Sequence, residues 1–288
     1  MVALSWSQNS QPPPSVRYCD RYHQWQVSRL TDICILSPQL SLTPQTGYDG
    51  SMLNGLQILP EWRNFFGHPT GSRLGSITNG VRYGQLGALF ISAPLIQRLG
   101  RKKPIAIGSS ILLVGVILQC AAQNYGTFVA GRFLIGFGNT IQTTACPILI
   151  SELSHPSQRT QMVGIMNSTG SLGQLMAAWI TFGTASIIGS WSWRLPSLLQ
   201  VAPSAFQICV IWLLPESPRY LISKDRQEEA LQVMAKYHAN GNIHDEVIKF
   251  EFAEVKEALK EERTHSKGRY LDLINTCESS KNLSTSNF

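Results

Sequence analysis

The chain has 288 residues, a formal net charge of +6 and only 15% charged residues. Its mean hydropathy is close to zero, which would suit a soluble protein. The distribution excludes that class: no charge occurs in 104–131, 160–193 or 195–215, and a bilayer core of about 30 Å needs roughly 20 apolar residues of helix.

Residues 1–29 are polar, aromatic and proline-containing, and are expected to be an unstructured cytoplasmic terminus. Gln11-Pro12-Pro13-Pro14 stands where a cleavable signal would have its apolar run, so the first spanning helix is expected to serve as the insertion signal. That first candidate, 33–58, is the least apolar and contains Ser37-Pro38, Thr43-Pro44 and Asp49. Membrane helices tolerate such prolines where neighbouring helices satisfy the freed carbonyls. Further spans are predicted at 74–97, 104–123, 126–150, 160–184 and 193–214. The predicted fold class is therefore an all-α membrane protein with a six-helix transmembrane bundle over 30–215. A cytoplasmic helical segment is expected over 216–265, and an unstructured, truncated tail over 266–288. Within the helical segment, Ile248, Phe252, Val255 and Leu259 share one stripe of a helix.

Charge placement predicts orientation. Arg98, Arg101, Lys102 and Lys103 follow the second span, His155 and Arg159 the fourth, and Arg219, Lys224 and Arg226 the sixth. These alternate loops share one side, which the positive-inside rule assigns to the cytoplasm, so both termini are expected there. The positive balance thus reads as topology, and no nucleic-acid partner is expected. The cysteines show no CxxC and no paired spacing, so neither a disulfide framework nor a metal site is expected. No phosphate loop or nucleophile elbow occurs and the histidines are isolated, so neither an enzyme nor a cofactor is expected.

Ionisable groups inside spans are costly and therefore candidates for function. Asp49 and Arg132 have opposite sign and can pair within a bundle. A carboxylate that alternates between an arginine and a proton is a workable coupling element. The structural readings stay open beside it: Asp49 as a polar cap, Arg132 as a snorkelling residue at the membrane edge. Arg82 lies in the second span with no evident partner. Gly80, Gly84 and Ala88, then Gly136 and Gly138, then Gly170 and Gly173 mark faces where helices approach closely. Gln142, Thr143, Asn167 and Gln174 face either a cavity or a neighbouring helix.

Six motifs in order resemble the sugar porters of the major facilitator superfamily, in particular the fungal hexose and lactose permease-like group. They are Gly47-Tyr48-Asp49-Gly50-Ser51 with Asn54-Gly55-Leu56-Gln57; Arg98-Leu99-Gly100-Arg101-Lys102; Gly131-Arg132-Phe133-Leu134-Ile135-Gly136-Phe137-Gly138; Pro147 to Glu152 with Arg159; Trp193-Arg194-Leu195-Pro196; and Pro215-Glu216-Ser217-Pro218-Arg219-Tyr220-Leu221. The resemblance implies transmembrane transport of a sugar, a hexose or a disaccharide, either proton-linked or facilitative, in the plasma membrane. It implies proton coupling at Asp49 and Arg132, and sugar contacts from Asn167 and Gln174, whose amides both donate and accept. It also implies a cytoplasmic gate of Arg101, Glu152, Arg159, Glu216 and Arg219. Gln97 stands where the second motif usually carries Asp. The resemblance covers the first of the family's two halves and the central cytoplasmic segment. The chain is accordingly expected to be the N-terminal half of a porter, inactive alone. The alternative is a non-transporting half-porter that regulates a full-length porter or senses sugar.

Overall fold

The computed structural model describes residues 42–154, 159–238 and 246–265. The expected unstructured ends, 1–29 and 266–288, and His155 lie outside them. Every regular element among the described residues is an α-helix. The chain divides into two units, Met1–Ser217 and Pro218–Phe288.

The first unit contains α1 (Leu42–Leu56), the short α2 (Pro60–Phe65), α3 (Ser72–Leu99), α4 (Lys102–Cys120), α5 (Tyr125–Leu153), α6 (Arg159–Thr184), α7 (Trp191–Leu199) and α8 (Val201–Ile211). Apart from α2, these helices overlap the six predicted spans, with the sixth made of two pieces; residues 33–41 of the first predicted span lie outside the described residues. The interruption at Gln200 has a covalent cause. Pro203 has no N–H for the carbonyl of Leu199, and its ring crowds that carbonyl, so the helical ladder loosens one turn earlier. Pro94 and Pro147, by contrast, lie inside unbroken helices.

Helix approach in this unit is set by glycine. A Cβ on Gly136 would lie 1.9 Å from the Val81 carbonyl oxygen, and one on Gly84 2.0 Å from that of Phe133. The backbones of α3 and α5 therefore touch through these two glycines. Gly138 faces the Gly108 carbonyl oxygen in the same way, with a Cβ distance of 2.4 Å, and joins α5 to α4. Gly47 faces the Gly170 carbonyl oxygen at 2.0 Å and joins α1 to α6. Lipid tails are as apolar as the side chains they meet, so van der Waals contact between closely approaching helices supplies the cohesion.

Buried polar side chains fasten the remaining pairs. Gln142 Nε2 donates to Ser109 Oγ at 2.6 Å, and Ser109 Oγ lies 3.2 Å from Gln207 Oε1, which ties α4, α5 and α8. Gln142 therefore serves helix–helix bonding, one of its two sequence readings. Ser204 Oγ donates to Gln45 Oε1 between α8 and α1. The Tyr48 hydroxyl donates to the Pro196 carbonyl between α1 and α7. One end of the unit is closed by Trp62, Phe65, Phe66, Phe128 and Trp193, with ring centroids 5.0–6.1 Å apart.

Among the described residues, only α4 and α5 are long and apolar enough to cross a membrane on length and composition alone. The charge-free runs 160–193 and 195–215 had met the length criterion as sequence. In the structure the first becomes α6, which carries Asn167, Ser168, Ser171 and Gln174 on exposed positions. The second is interrupted at Gln200. The predicted span 126–150 becomes α5, which is 29 residues long.

In the second unit, α9 (Pro218–Ser223), α10 (Gln227–His238) and α11 (Glu246–His265) enclose a small core of their own. Leu221, Ile222 and Ala230 pack with Val233, Phe252, Val255 and Leu259. Ile248, Met234 and Ala235 form a second cluster against Phe252. The stripe read from the sequence is thus the buried face of α11. Phe252 joins both clusters, so Phe252→Ala should destabilise this unit by about 3 kcal/mol. Loss of helical signal on heating the variant at lower temperature than the parent would verify it.

Candidate functional site

Arg132 sits two turns into α5, between Gly131 and the glycines that follow. Gly131 lets α4 close in, with a Cβ distance of only 2.9 Å from Gly115 O, and Gly80 of α3 leaves room for the Arg132 Cβ at 3.2 Å. The arginine is 2% exposed. Its Nη2 donates to Asp49 Oδ2 at 3.2 Å, and Gln200 Nε2 donates to Asp49 Oδ1 at 3.2 Å. Both carboxylate oxygens of Asp49 therefore hold a donor. Arg132 is thus a buried partner of Asp49 and not a snorkelling residue. Its Nε and Nη1 are buried with no hydrogen-bond acceptor among the described residues. A buried guanidinium with two free donor nitrogens favours any acceptor that reaches it.

Gln200 was missed by the sequence reading, although an amide in the middle of an apolar run is the available signal. The Pro203 interruption places it: the loosened turn between α7 and α8 falls opposite Asp49 on α1.

The Asp49–Arg132 pair lies in the wall of a cavity of about 550 Å³, a volume suited to a small-molecule ligand. Asn54, Thr78, Arg82, Gln85, Asn139 and Gln174 also line it. Most of these side chains both donate and accept hydrogen bonds, which suits hydroxyl groups. Gln174 is exposed and belongs to this wall, whereas Asn167, two turns away on α6, is exposed and lies outside it. Gln85 and Asn139 were not singled out from sequence, and Asn54 stood out only as part of the first motif, since one amide among polar neighbours carries no distinctive pattern.

A second cluster forms where α4 begins. Arg101 Nη2 donates to Glu152 Oε1 at 2.8 Å, and Ser217 Oγ donates to Glu152 Oε2. Glu216 Oε1 accepts the backbone N–H groups of Arg101 at 3.0 Å and Lys102 at 3.3 Å. Glu216 thereby places negative charge on the positive end of the α4 dipole. Lys102 Nζ donates to the carbonyls of Trp212 at 2.8 Å and Leu214 at 2.7 Å, which follow α8. Lys102 and Ser217 were not in the predicted gate, yet they complete this lattice. Arg159 opens α6 and is exposed. Arg219 belongs to the second unit, where it pairs with Glu262. Gln97 is exposed and brings no charge. Glu216→Ala strips the acceptor from two amide donors and should lower stability by about 1–2 kcal/mol. Thermal unfolding of the purified protein in detergent would register it.

The family model described as "Sugar (and other) transporter" matches residues 37–285. The high-affinity glucose transporter of Kluyveromyces lactis is 29% identical over 228 residues, covering 79% of this chain and 41% of that protein. Sugar transporter STL1 of Saccharomyces cerevisiae is 34% identical over 167 residues, covering 57% of this chain and 29% of that protein. The chain thus spans less than half the length of these relatives. The solved structure of the E. coli xylose transporter XylE in a partially occluded inward-open conformation matches with a TM-score of 0.72 at 20% identity, covering 81% of this chain and 60% of that one. At that identity the likeness is one of fold.

Proposed function

Because this chain belongs to the sugar (and other) transporter family, with the all-α membrane fold of the major facilitator superfamily, we propose that its first unit forms one wall of a proton-linked pathway for a hexose or disaccharide. The observation that carries this reading is the polar cavity with a buried Asp49–Arg132 pair in its wall. Ionisable and amide side chains at mid-membrane depth are costly against lipid, so the face that bears them borders an aqueous path. A relative described as a glucose transporter and a structural neighbour described as a proton:xylose symporter support the substrate class and the proton.

In this reading Gln174 contacts sugar hydroxyls. Asn167 contributes only to a substrate long enough to extend along α6. Asp49 releases Arg132 when it takes up a proton, and that release is the coupling event. The lattice of Arg101, Glu152 and Glu216 closes the cytoplasmic side, with Arg159 as a further charge of the same gate. Both termini then face the cytoplasm, and the membrane is the plasma membrane.

The test is uptake of labelled hexose by cells that lack other sugar porters and express the full-length protein. Gln174→Ala removes hydrogen bonds of about 1 kcal/mol, so the KM should rise roughly fivefold. Asn167→Ala should leave hexose uptake alone and weaken disaccharide uptake. No uptake of any sugar by the parent protein would sink the proposal.

A further inference from the structure

The proposed sugar path leaves Arg82 without a task. Thr78, Arg82 and Gln85 all line the cavity, and their spacing puts them on one stripe of α3. Tyr83, Leu86 and Phe90 form a separate, exposed apolar stripe on the same helix. Arg82 is therefore directed to the cavity side of α3 and not to the side suited to lipid. It lies ten residues from the start of α3 at Ser72, about 15 Å along the axis and near the middle of a bilayer core. At that depth a guanidinium is costly unless it has water or a partner of opposite charge.

Asp49 shares the cavity but is committed elsewhere, with its two oxygens on Arg132 and Gln200. No hydrogen bond or ion pair joins Arg82 to another described residue. The charged residues of the lining are Arg82, Arg132 and Asp49. Among the described residues, two cations against one anion leave this wall of the cavity one positive charge in excess. The buried Arg132 Nε and Nη1, also without acceptors, lie in the same wall. A neutral sugar satisfies the amides of Asn54, Gln85 and Gln174 and leaves this charge uncompensated.

The geometry points to a hydroxylated carboxylate of hexose size, an aldonate or uronate, as a preferred substrate of this cavity, with Arg82 receiving the carboxylate. This rests on the reading of the cavity as a sugar site. The planar guanidinium fork matches a carboxylate in a two-bond arrangement. The amides around it serve the hydroxyls, as they would for a neutral sugar.

The experiment measures binding of labelled D-gluconate and D-glucose to the purified full-length protein in detergent, with glucose 6-phosphate as a third ligand. A charge-assisted pair should favour gluconate over glucose by about tenfold or more. Arg82→Gln should lower that ratio about tenfold, and Arg82→Lys, which keeps the charge without the fork, should retain part of it. Equal affinities in the parent protein overturn the proposal. A fall of both affinities by the same factor in Arg82→Gln does so too, because Arg82 would then only hold the cavity in shape. Tighter binding of glucose 6-phosphate than of gluconate overturns the carboxylate assignment. Glucose binding without gluconate preference defeats this inference alone, whereas failure of every polyol to bind defeats the sugar reading beneath it.

Discussion

Asp49→Asn in the full-length protein should abolish uphill accumulation of sugar while exchange of labelled for unlabelled sugar continues. The substitution keeps the shape of the side chain, and its amide oxygen can still accept one hydrogen bond. What it removes is the negative charge that holds Arg132, which is 2% exposed and has Nη2 3.2 Å from Asp49 Oδ2. The amide mimics the protonated carboxyl and cannot return to the charged state. The change of partner that would link a proton to sugar movement is then lost, while the cavity lined by Gln174, Asn54 and Gln85 persists. Sugar should equilibrate across the membrane and go no further. A second measurement separates this from simple damage. Deleting one partner of a buried pair costs about 3–5 kcal/mol because the other charge is left unpaired, so the thermal midpoint in detergent should fall as well. Arg132→Leu leaves Asp49 buried beside Gln200 alone and should also cost several kcal/mol. The double variant should recover part of that loss, because the two charges disappear together. Accumulation that persists unchanged in Asp49→Asn would remove Asp49 from the coupling role.

The largest structural effect is expected at the crossing of α3 and α5. In Gly136→Ala the new methyl would meet the Val81 carbonyl oxygen at 1.9 Å and its carbon at 2.7 Å. In Gly84→Ala it would meet the Phe133 carbonyl oxygen at 2.0 Å and the Phe137 nitrogen at 2.8 Å. These neighbours are backbone atoms, so no rotamer change relieves the contact and the helices must separate. Overpacking of this kind costs about 1–3 kcal/mol and occasionally more, and two helix backbones place this crossing at the upper end. The two alanines should be less than additive, since separation forced by one makes room for the other. Gly164 of α6 has no atom within 4 Å of a built Cβ, so Gly164→Ala is the control and should be tolerated. Yield of monodisperse protein and its thermal midpoint in detergent check all four proteins. The crossing also matters for activity, because α3 carries Arg82 and α5 carries Arg132. A shift of α3 against α5 moves the two guanidiniums of the cavity relative to each other.

The family and the helices were legible because both rest on short-range information. An apolar run of sufficient length, a glycine every fourth residue and a motif of five or six residues are all contained within one element. The Asp49–Arg132 pair was also within reach, since two opposite charges in apolar surroundings restrict each other's partners. The amphipathic stripe of α11 was readable for the same reason, as its period of three and four residues is local.

Gln200 as the second donor to Asp49 was not legible. The two residues are 151 positions apart, and the contact depends on how Pro203 interrupts the sixth span and on how closely Gly47 lets α1 approach α6. Glu216 is a similar case. Its sequence motif marks a charged junction, but its carboxylate acts on the backbone of α4, 115 residues away in the chain. Arg82 was conspicuous as a charge in a span, yet its face became clear only from the cavity it lines. Local covalent geometry and hydrophobic period select helices one at a time, so composition and motif suffice for the element order and the family. A hydrogen bond or ion pair forms only when donor and acceptor come within about 3 Å. That distance depends on the crossing and separation of several helices at once, which the glycine contacts of the folded bundle set.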